Sequence, residues 1–548
     1  MTLNNEVFHK TTAEVNTQVA SYFTVVDECL AMGDTNHKYS IEAHQCYAPS
    51  PPVQAGSFTY FTISPTCDNM ADIYNGFIRA NLKVKFAIDT ALVCDATHPL
   101  AVGNQDRYKF NRMWFGFKDA MDAIERYEIM SNGKSIYIQS DAAEESFITG
   151  CIVNESVKRS DTFSKTRHKD VWSQKMPACG CYVRWGTRNT VPNIDPCDCP
   201  TASAGLYTNE MTIPLKIDLR RFLPLSNIKY LPAFAGKLEL KVKFSTQAMV
   251  YTPCGPDYRL TKDVRLFNTL TVPNVTTEFV PIGEPCTCFV SLDGTELTAG
   301  PRTCDVDNKT YYITEAYSVI PNFGIRNEIY RTLVQRYVGK ELIFPTQTIS
   351  VNRMSNILRP GKCSSTFTHT PQYVDSIFFL FPKRAGHHTI FKNPLFNSFQ
   401  LRCGGYGNIP SVPFDSYSRR DPTFIELIQN AFNLNGNQCG INKEVLISLI
   451  DVDDTTMGKF SHDHTNFIIG LPTECDNTFQ QGQLSNTPIN YEIACDIDEG
   501  SDYANDEDPP QAPLICFLND AVMAIKVETD GMPPTVELDT FNVTEPNN

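Results

Sequence analysis

A chain of 548 residues is longer than one hydrophobic core usually serves, so two units of about 250 residues are expected, each burying a substantial interior. Proline (35) and phenylalanine (34) are plentiful and charged residues make up only 20%, which argues against disorder and long solvated helices and favours packed β-structure. The formal net charge of −15, from 47 Lys and Arg against 62 Asp and Glu, argues against a surface that condenses nucleic acid through charge alone, because neutralising phosphates needs clustered cations.

In chain order, residues 1–50 read as an N-terminal arm. MTLNNEVFHKTTAEV lacks the basic and apolar regions of a signal peptide, and no window reaches the roughly 18 apolar residues that span a bilayer, so a soluble protein outside the usual export route is expected. The first unit is expected over 51–255. Its strand signals include FTYFTIS (58–64), NLKVKFAI (81–88) and KSIYIQ (134–139). DAMDAIERYEIMSNGK (119–134) reads as a short amphipathic helix, with Met121, Ile124 and Tyr127 on one side and Asn132-Gly133 turning into a strand. Further on, Ile213, Leu215, Ile217 and Leu219 alternate with polar or proline positions, as do Leu238, Leu240, Val242 and Phe244. Between these two strands Pro224 and Pro232 forbid one long helix and Gly236 frees the chain to turn, which predicts an irregular crossover rather than a βαβ unit.

TPCGPDYRL and TVPNV place a linker at 256–278 and a second unit, with a C-terminal extension, at 279–548. Strand signals there include YYITEAYSVI (311–320), DSIFFLF (375–381), FNSFQLRC (396–403), VLISLI (445–450), NFIIGL (466–471) and AVMAIKVE (521–528), and GGYG (404–407) reads as a hairpin turn. Asp421-Pro422 opens a second short helix, with Phe424, Leu427, Ile428, Ala431 and Phe432 on one stripe and a stop at Asn435-Gly436. One helix among the strands of each half suggests a duplicated architecture. The fold class is all-β, two consecutive sandwiches with a few short helices in the loops.

Motifs for chemistry are missing: there is no GxSxG elbow, no GxxxxGK[ST] loop and no HExxH helix, which lowers the prior for an enzyme. Most of the 19 cysteines sit singly in apolar stretches, as Cys94, Cys151 and Cys516 do, and read as small buried hydrophobes. Cys179, Cys181, Cys197 and Cys199 form two CxC pairs. Four thiolates suit tetrahedral zinc, two disulfides would clamp the same loop, and free thiols remain the third reading; Cys286 and Cys288 fit any of them. No other cofactor is expected. His462 and His464, with Asp451, Asp453 and Asp454, match no calcium-loop spacing and read as a solvated loop. DIDEGSDYANDED (496–508) holds seven acids in thirteen residues, a self-repelling surface loop or a dock for a basic partner.

ADIYNGFIRANLKVKFAI, FGFKDAMDAIERYEIMSNGKSIYIQSDAAEESFI, the crossover and its flanking strands, FNSFQLRCGGYGNIP and FIELIQNAFNLNG occur in an order and spacing that resembles the double jelly-roll major capsid proteins of virophages and polinton-like (adintovirus-like) viruses. The resemblance covers most of Val53 to Val543 in discontinuous blocks. It implies two eight-stranded jelly rolls side by side, three chains forming a pseudo-hexameric capsomer, and an icosahedral shell in the virion. It also implies partners: neighbouring capsomers, a penton protein, a minor capsid protein, a packaging ATPase and a protease, with no sequence-specific nucleic-acid contact. The stretches around 176–205 and 496–508 depart from that pattern. The competing readings are a jelly-roll carbohydrate-binding protein and a two-domain jelly-roll hydrolase.

Overall fold

The computed structural model describes residues 22–27, 40–45, 53–54, 58–65, 70–89, 111–115, 120–152, 182–184, 206–244, 249–253, 310–370, 374–382, 391, 394–404, 407–414, 467–472, 488–499, 511–527 and 533–540, with short strand pairs between 275 and 304. Strands dominate them. The first group is β1 (Phe58–Thr62), β2 (Phe77–Asp89), β3 (Ile124–Ser131), β4 (Lys134–Gln139), β5 (Leu206–Asp218), β6 (Leu238–Phe244) and β7 (Thr310–Phe323), with helix α1 (Ala142–Ile152) after β4. Helix α2 (Asn327–Tyr337) leads to β8 (Glu341–Arg353), β9 (Gly361–His369), β10 (Val374–Leu380), β11 (Phe396–Cys403), β12 (Gly407–Phe414), β13 (Ile468–Pro472), β14 (Ile489–Ile497), β15 (Leu514–Lys526) and β16 (Thr535–Thr540).

The second unit forms two antiparallel sheets in the orders β8-β15-β10-β13 and β9-β14-β11-β12. Numbered along its own eight strands, these orders are 1-8-3-6 and 2-7-4-5, the connectivity of a jelly roll. In the first unit β1-β6-β3-β4 and β5-β2-β7 repeat the same logic: the first strand lies beside the last, the last beside the third, and the second beside the penultimate. The fold is therefore all-β, with the jelly-roll pairing repeated in two successive sandwiches. Strand β7 hydrogen-bonds to β2 of the first sandwich although it follows 256–278, where the linker is expected; of that stretch only Val275 and Thr276 are described.

Period two explains the packing. Strand β6 buries Leu238, Leu240, Val242 and Phe244 and lifts Glu239, Lys241 and Lys243 toward solvent, and β14 buries Ile489, Tyr491, Ile493, Cys495 and Ile497 in the same manner. The expected strand, irregular crossover and strand of residues 213–244 are all present: β5 ends at Asp218, single 3-10 turns cover Leu219–Arg221, Leu223–Leu225 and Ala233–Ala235, and Gly236 turns into β6 at φ +82°. Strand β11 pairs with β12, with Cys403 opposite Gly407 at φ +106°; of the expected GGYG turn between them, Gly405 and Tyr406 lie outside the described residues.

The expected helix at 119–134 is a correction. Ala120–Ala123 makes one 3-10 turn, and Ile124–Ser131 is a strand paired to β6, ending in a two-residue turn at Asn132 (φ +50°) and Gly133 (φ +81°). The spacing of Met121, Ile124 and Tyr127 suits either structure, and the sheet edge offered by β6 decides it, with a bulge at Lys243/Phe244 absorbing the odd register. Described helices lie instead at α1, α2 and residues 22–27; the helix expected from Asp421 falls outside the described residues. Helix α2 buries Leu333 and Tyr337 one turn apart and stops at Gly339, φ +73°.

The two sandwiches share a continuous ladder. Strands β8 and β15 pair residue for residue from Glu341↔Lys526 to Arg353↔Leu514. At one end Leu342, Phe344, Met523 and Ile525 sit in the core of the first sandwich with Tyr127, Phe222 and Leu240. At the other, Ile349 and Leu514 to Leu518 sit in the core of the second, with Phe399, Tyr491 and Ile493.

Candidate functional site: the seam between the two sandwiches

The polar chemistry of the seam centres on Glu145, which is fully buried in the first turns of α1. Three elements aim donors at its carboxylate. The Leu223 backbone N–H donates from the crossover at 3.1 Å, Gln139 Nε2 donates from the end of β4 at 3.0 Å, and the Tyr127 hydroxyl of β3 lies 2.9 and 2.8 Å from the two oxygens. Burial pushes the Glu145 carboxyl up to about 7, because desolvation of the charge outweighs these three donors and nearby Arg221. The Tyr127 hydroxyl is raised well above its ordinary value, first by burial and then by the carboxylate beside it.

The same groups reach the second sandwich. Gln139 Nε2 uses its other hydrogen on the Ile349 carbonyl of β8 at 3.0 Å, and Thr346 Oγ1 donates to the Leu223 carbonyl at 2.8 Å. Arg221 Nη2 donates to the carbonyl and hydroxyl of Ser146 at 3.3 and 3.2 Å, fixing α1 to the crossover. The irregular crossover thus has a physical purpose, since a regular strand would spend the Leu223 N–H and C=O on a neighbouring strand. With its acceptors met by groups of β3, β4 and the crossover and no exposed surface, Glu145 braces the first unit from inside, holding in place the Gln139 side chain and the Leu223 backbone that themselves bond to Ile349 and Thr346 of the second.

A second contact lies at the far end of the seam. Asn132 Nδ2 donates to the Pro534 carbonyl at 3.0 Å, and a Cβ added at Gly236 would come within 2.5 Å of Pro534 Cγ. Nearby, residues 22–27 form a helical turn that inserts Tyr22, fully buried, edge-on to Tyr337 and Phe344 at 6.0 and 6.2 Å between ring centres. Asp27 accepts from Lys229 Nζ at 2.8 and 2.7 Å and from the Tyr230 hydroxyl at 2.7 Å.

Cys179, Cys181, Cys197 and Cys199 lie outside the described residues, as do His462, His464, Asp451, Asp453, Asp454 and residues 500–508 of the acidic stretch. The backbone of Cys286 pairs in register with Cys304. Cys516 is fully buried in the second core, and burial pushes its thiol up, as a small buried hydrophobe requires. Among the described residues no three His, Cys, Asp or Glu side chains gather as a metal site. Glu145 was not foreseeable as a seam residue: AAEESF offers two adjacent acids, both buried, and only the packing of distant elements shows that Glu145 meets Tyr127, Gln139 and Leu223. Cys363 and Cys495, directly opposed on β9 and β14, are equally silent in sequence, being 132 residues apart.

No protein-family model matches the chain, and no curated protein matches it. Among solved structures, the chain is similar to one described as the 3.5 Å structure of the Sputnik virophage, at 11% identity and TM-score 0.49, with 92% of this chain and 89% of that one covered. It is similar to the mavirus major capsid protein at 11% identity and TM-score 0.46, with 93% of each chain covered. It is also similar to the Faustovirus major capsid protein, at 8% identity and TM-score 0.42, with 89% of this chain and 90% of that one covered.

Proposed function

We propose that this chain is a major capsid protein, located in the virion, whose trimers form pseudo-hexameric capsomers that tile an icosahedral shell. The observation that carries the reading is the repeated jelly-roll pairing fused through the β8–β15 ladder. Three copies of a two-sandwich chain around a threefold axis present six like units, which lets a trimer pack with six neighbours. The sequence resemblance supports the same reading. In this reading the role is structural rather than enzymatic: Glu145, whose carboxyl is pushed up to about 7, is fully buried and its contacts brace the first unit.

Its partners in this reading are other copies of itself, penton and minor capsid proteins, and the packaging ATPase and protease of the same virus. Direct sequence-specific nucleic-acid binding has no place in it. On the outer face of the first sandwich Lys241 is paired with Glu128 at 3.0 Å and Lys243 with Glu125 at 2.6 Å, so these cations are already neutralised. For Cys179, Cys181, Cys197 and Cys199 the readings carried forward are one zinc ion, two disulfides or free thiols. Metal analysis of protein purified without chelator separates the first from the other two.

The test is the solution mass of the purified protein by light scattering, followed by electron microscopy of the same sample. A species of three chain masses with pseudo-hexagonal projections supports the capsomer. A strict monomer that binds glycans or cleaves a glycoside would replace it with the carbohydrate-binding or hydrolase reading.

A further inference from the structure

Cys363 is the third residue of β9 and Cys495 the seventh of β14, and the antiparallel register sets them directly opposite each other. Their sulfurs are 3.3 Å apart, both thiols are free, and Cys495 Sγ also reaches the Cys363 carbonyl at 3.5 Å. Directly opposed residues of an antiparallel ladder have Cα atoms about 4.5 to 5.5 Å apart, inside the range that a disulfide spans. Closing from contact to a bond of about 2.05 Å therefore needs side-chain rotation and no shift of the strands.

The alternative is that both are packing groups, as Cys516 is. Their surroundings differ from those of Cys516, which is fully buried within β15 between two neighbouring strands. Cys363 is only half-buried, and β9 is the edge of its sheet, paired among the described residues to β14 alone. The Cys495 thiol beside Cys363 pulls the Cys363 thiol below its ordinary value, which favours the thiolate there. That contact, together with burial, pushes Cys495 up. Cys363 is therefore the more accessible and more acidic sulfur, and Cys495 the more sheltered one.

We propose that Cys363 and Cys495 are a redox-active thiol pair that closes to an intrachain disulfide on meeting a low-molecular-weight disulfide such as glutathione disulfide. The Cys363 thiolate attacks one glutathione sulfur, the glutathione S–S bond breaks, and one glutathione thiolate leaves. Cys495 then gives its proton to water and attacks Cys363 Sγ, expelling the second glutathione, which takes up a proton. Two protein thiols are oxidised and one small disulfide is reduced to two thiols. The bond staples the edge strand β9 to β14 under oxidising conditions and stays open in a reducing cytosol. The inference is independent of the shell reading.

The test uses the full-length protein, incubated at neutral pH with glutathione disulfide, alkylated, digested without reduction and mapped by mass spectrometry. The expected product is a cross-linked peptide joining Cys363 to Cys495, two hydrogens lighter than the free pair and reopened by dithiothreitol, with a higher thermal midpoint for the oxidised protein. Cys495→Ser is expected to stop at a glutathione adduct on Cys363, and Cys363→Ser, on the half-buried member, to give neither product. If Cys495→Ser does not fold, the wild-type map and Cys363→Ser decide alone. Recovery of Cys363 and Cys495 both alkylated after treatment, or a bridge seen only in denaturant, overturns the proposal.

Discussion

Asn132 and Pro534 are 402 residues apart in the chain, and the side-chain amide of the first donates to the carbonyl of the second at 3.0 Å. Gly236 lies under the same proline, at φ +82° and with no room for a Cβ. Gly236→Ala therefore meets both backbone strain and a collision, and is expected to destabilise the protein by about 1–3 kcal/mol. Gly133→Ala is the control, because Gly133 has φ +81° but nothing within 4 Å, so it carries the strain alone. Denaturant midpoints should fall further for Gly236→Ala than for Gly133→Ala; equal midpoints would mean that Pro534 gives way.

Stability is expected to fall as pH rises through neutrality. The folded carboxyl of Glu145 sits near 7 against an ordinary value of 4.5, so the folded state holds this proton more tightly than the unfolded chain. The resulting stabilisation is complete below about pH 4.5, declines between there and 7, and is absent above; the shift corresponds to about 3 kcal/mol. Thermal melts at pH 5.5 and 8 should show a difference for the wild type that Glu145→Gln reduces. An identical pH dependence in both proteins would remove Glu145 as its source.

Among the contacts that hold residues 22–27, two differ sharply in expected size. The Lys229–Asp27 pair is about two-fifths exposed on both sides, so Asp27→Asn should cost about 1 kcal/mol or less. Tyr22 is fully buried among Phe23, Tyr337 and Phe344, so Tyr22→Ala should cost about 3 kcal/mol or more. Limited proteolysis near the N-terminus, compared between the two variants, checks the order; faster cleavage in Asp27→Asn would reverse it.

In the second sandwich Phe517 packs edge-on to Tyr491 at 5.1 Å and flat against His369 at 4.7 Å. Phe517→Ala is expected to cost about 3–5 kcal/mol. Burial already lowers the His369 pKa, and opening a water path beside it should move that pKa back up. The shift is measurable from the His369 ring signals by NMR titration, and an unmoved value would show that the cavity stays dry.

A strand with one buried face was legible in LELKVKF because period two is written directly there. Residues 119–134 were not, since apolar positions three apart fit a helix until the neighbouring strand β6 is known. Helix α2 left a signal in Leu333, Tyr337 and the Gly339 stop, masked by the long β-like run before it. The seam was out of reach for a different reason. Gln139, Glu145, Leu223 and Ile349 come from four separate elements, and no local pattern encodes a contact made by the register of distant strands.

The β8–β15 ladder also determines how the molecule carries load. Its thirteen opposed pairs run along two strands that each enter both cores, so a force pulling the sandwiches apart along these strands is borne by two continuous backbones, cross-braced by the ladder's hydrogen bonds. Two paired strands resist bending more than a single connecting chain would, so tilting one sandwich against the other has to deform the ladder itself.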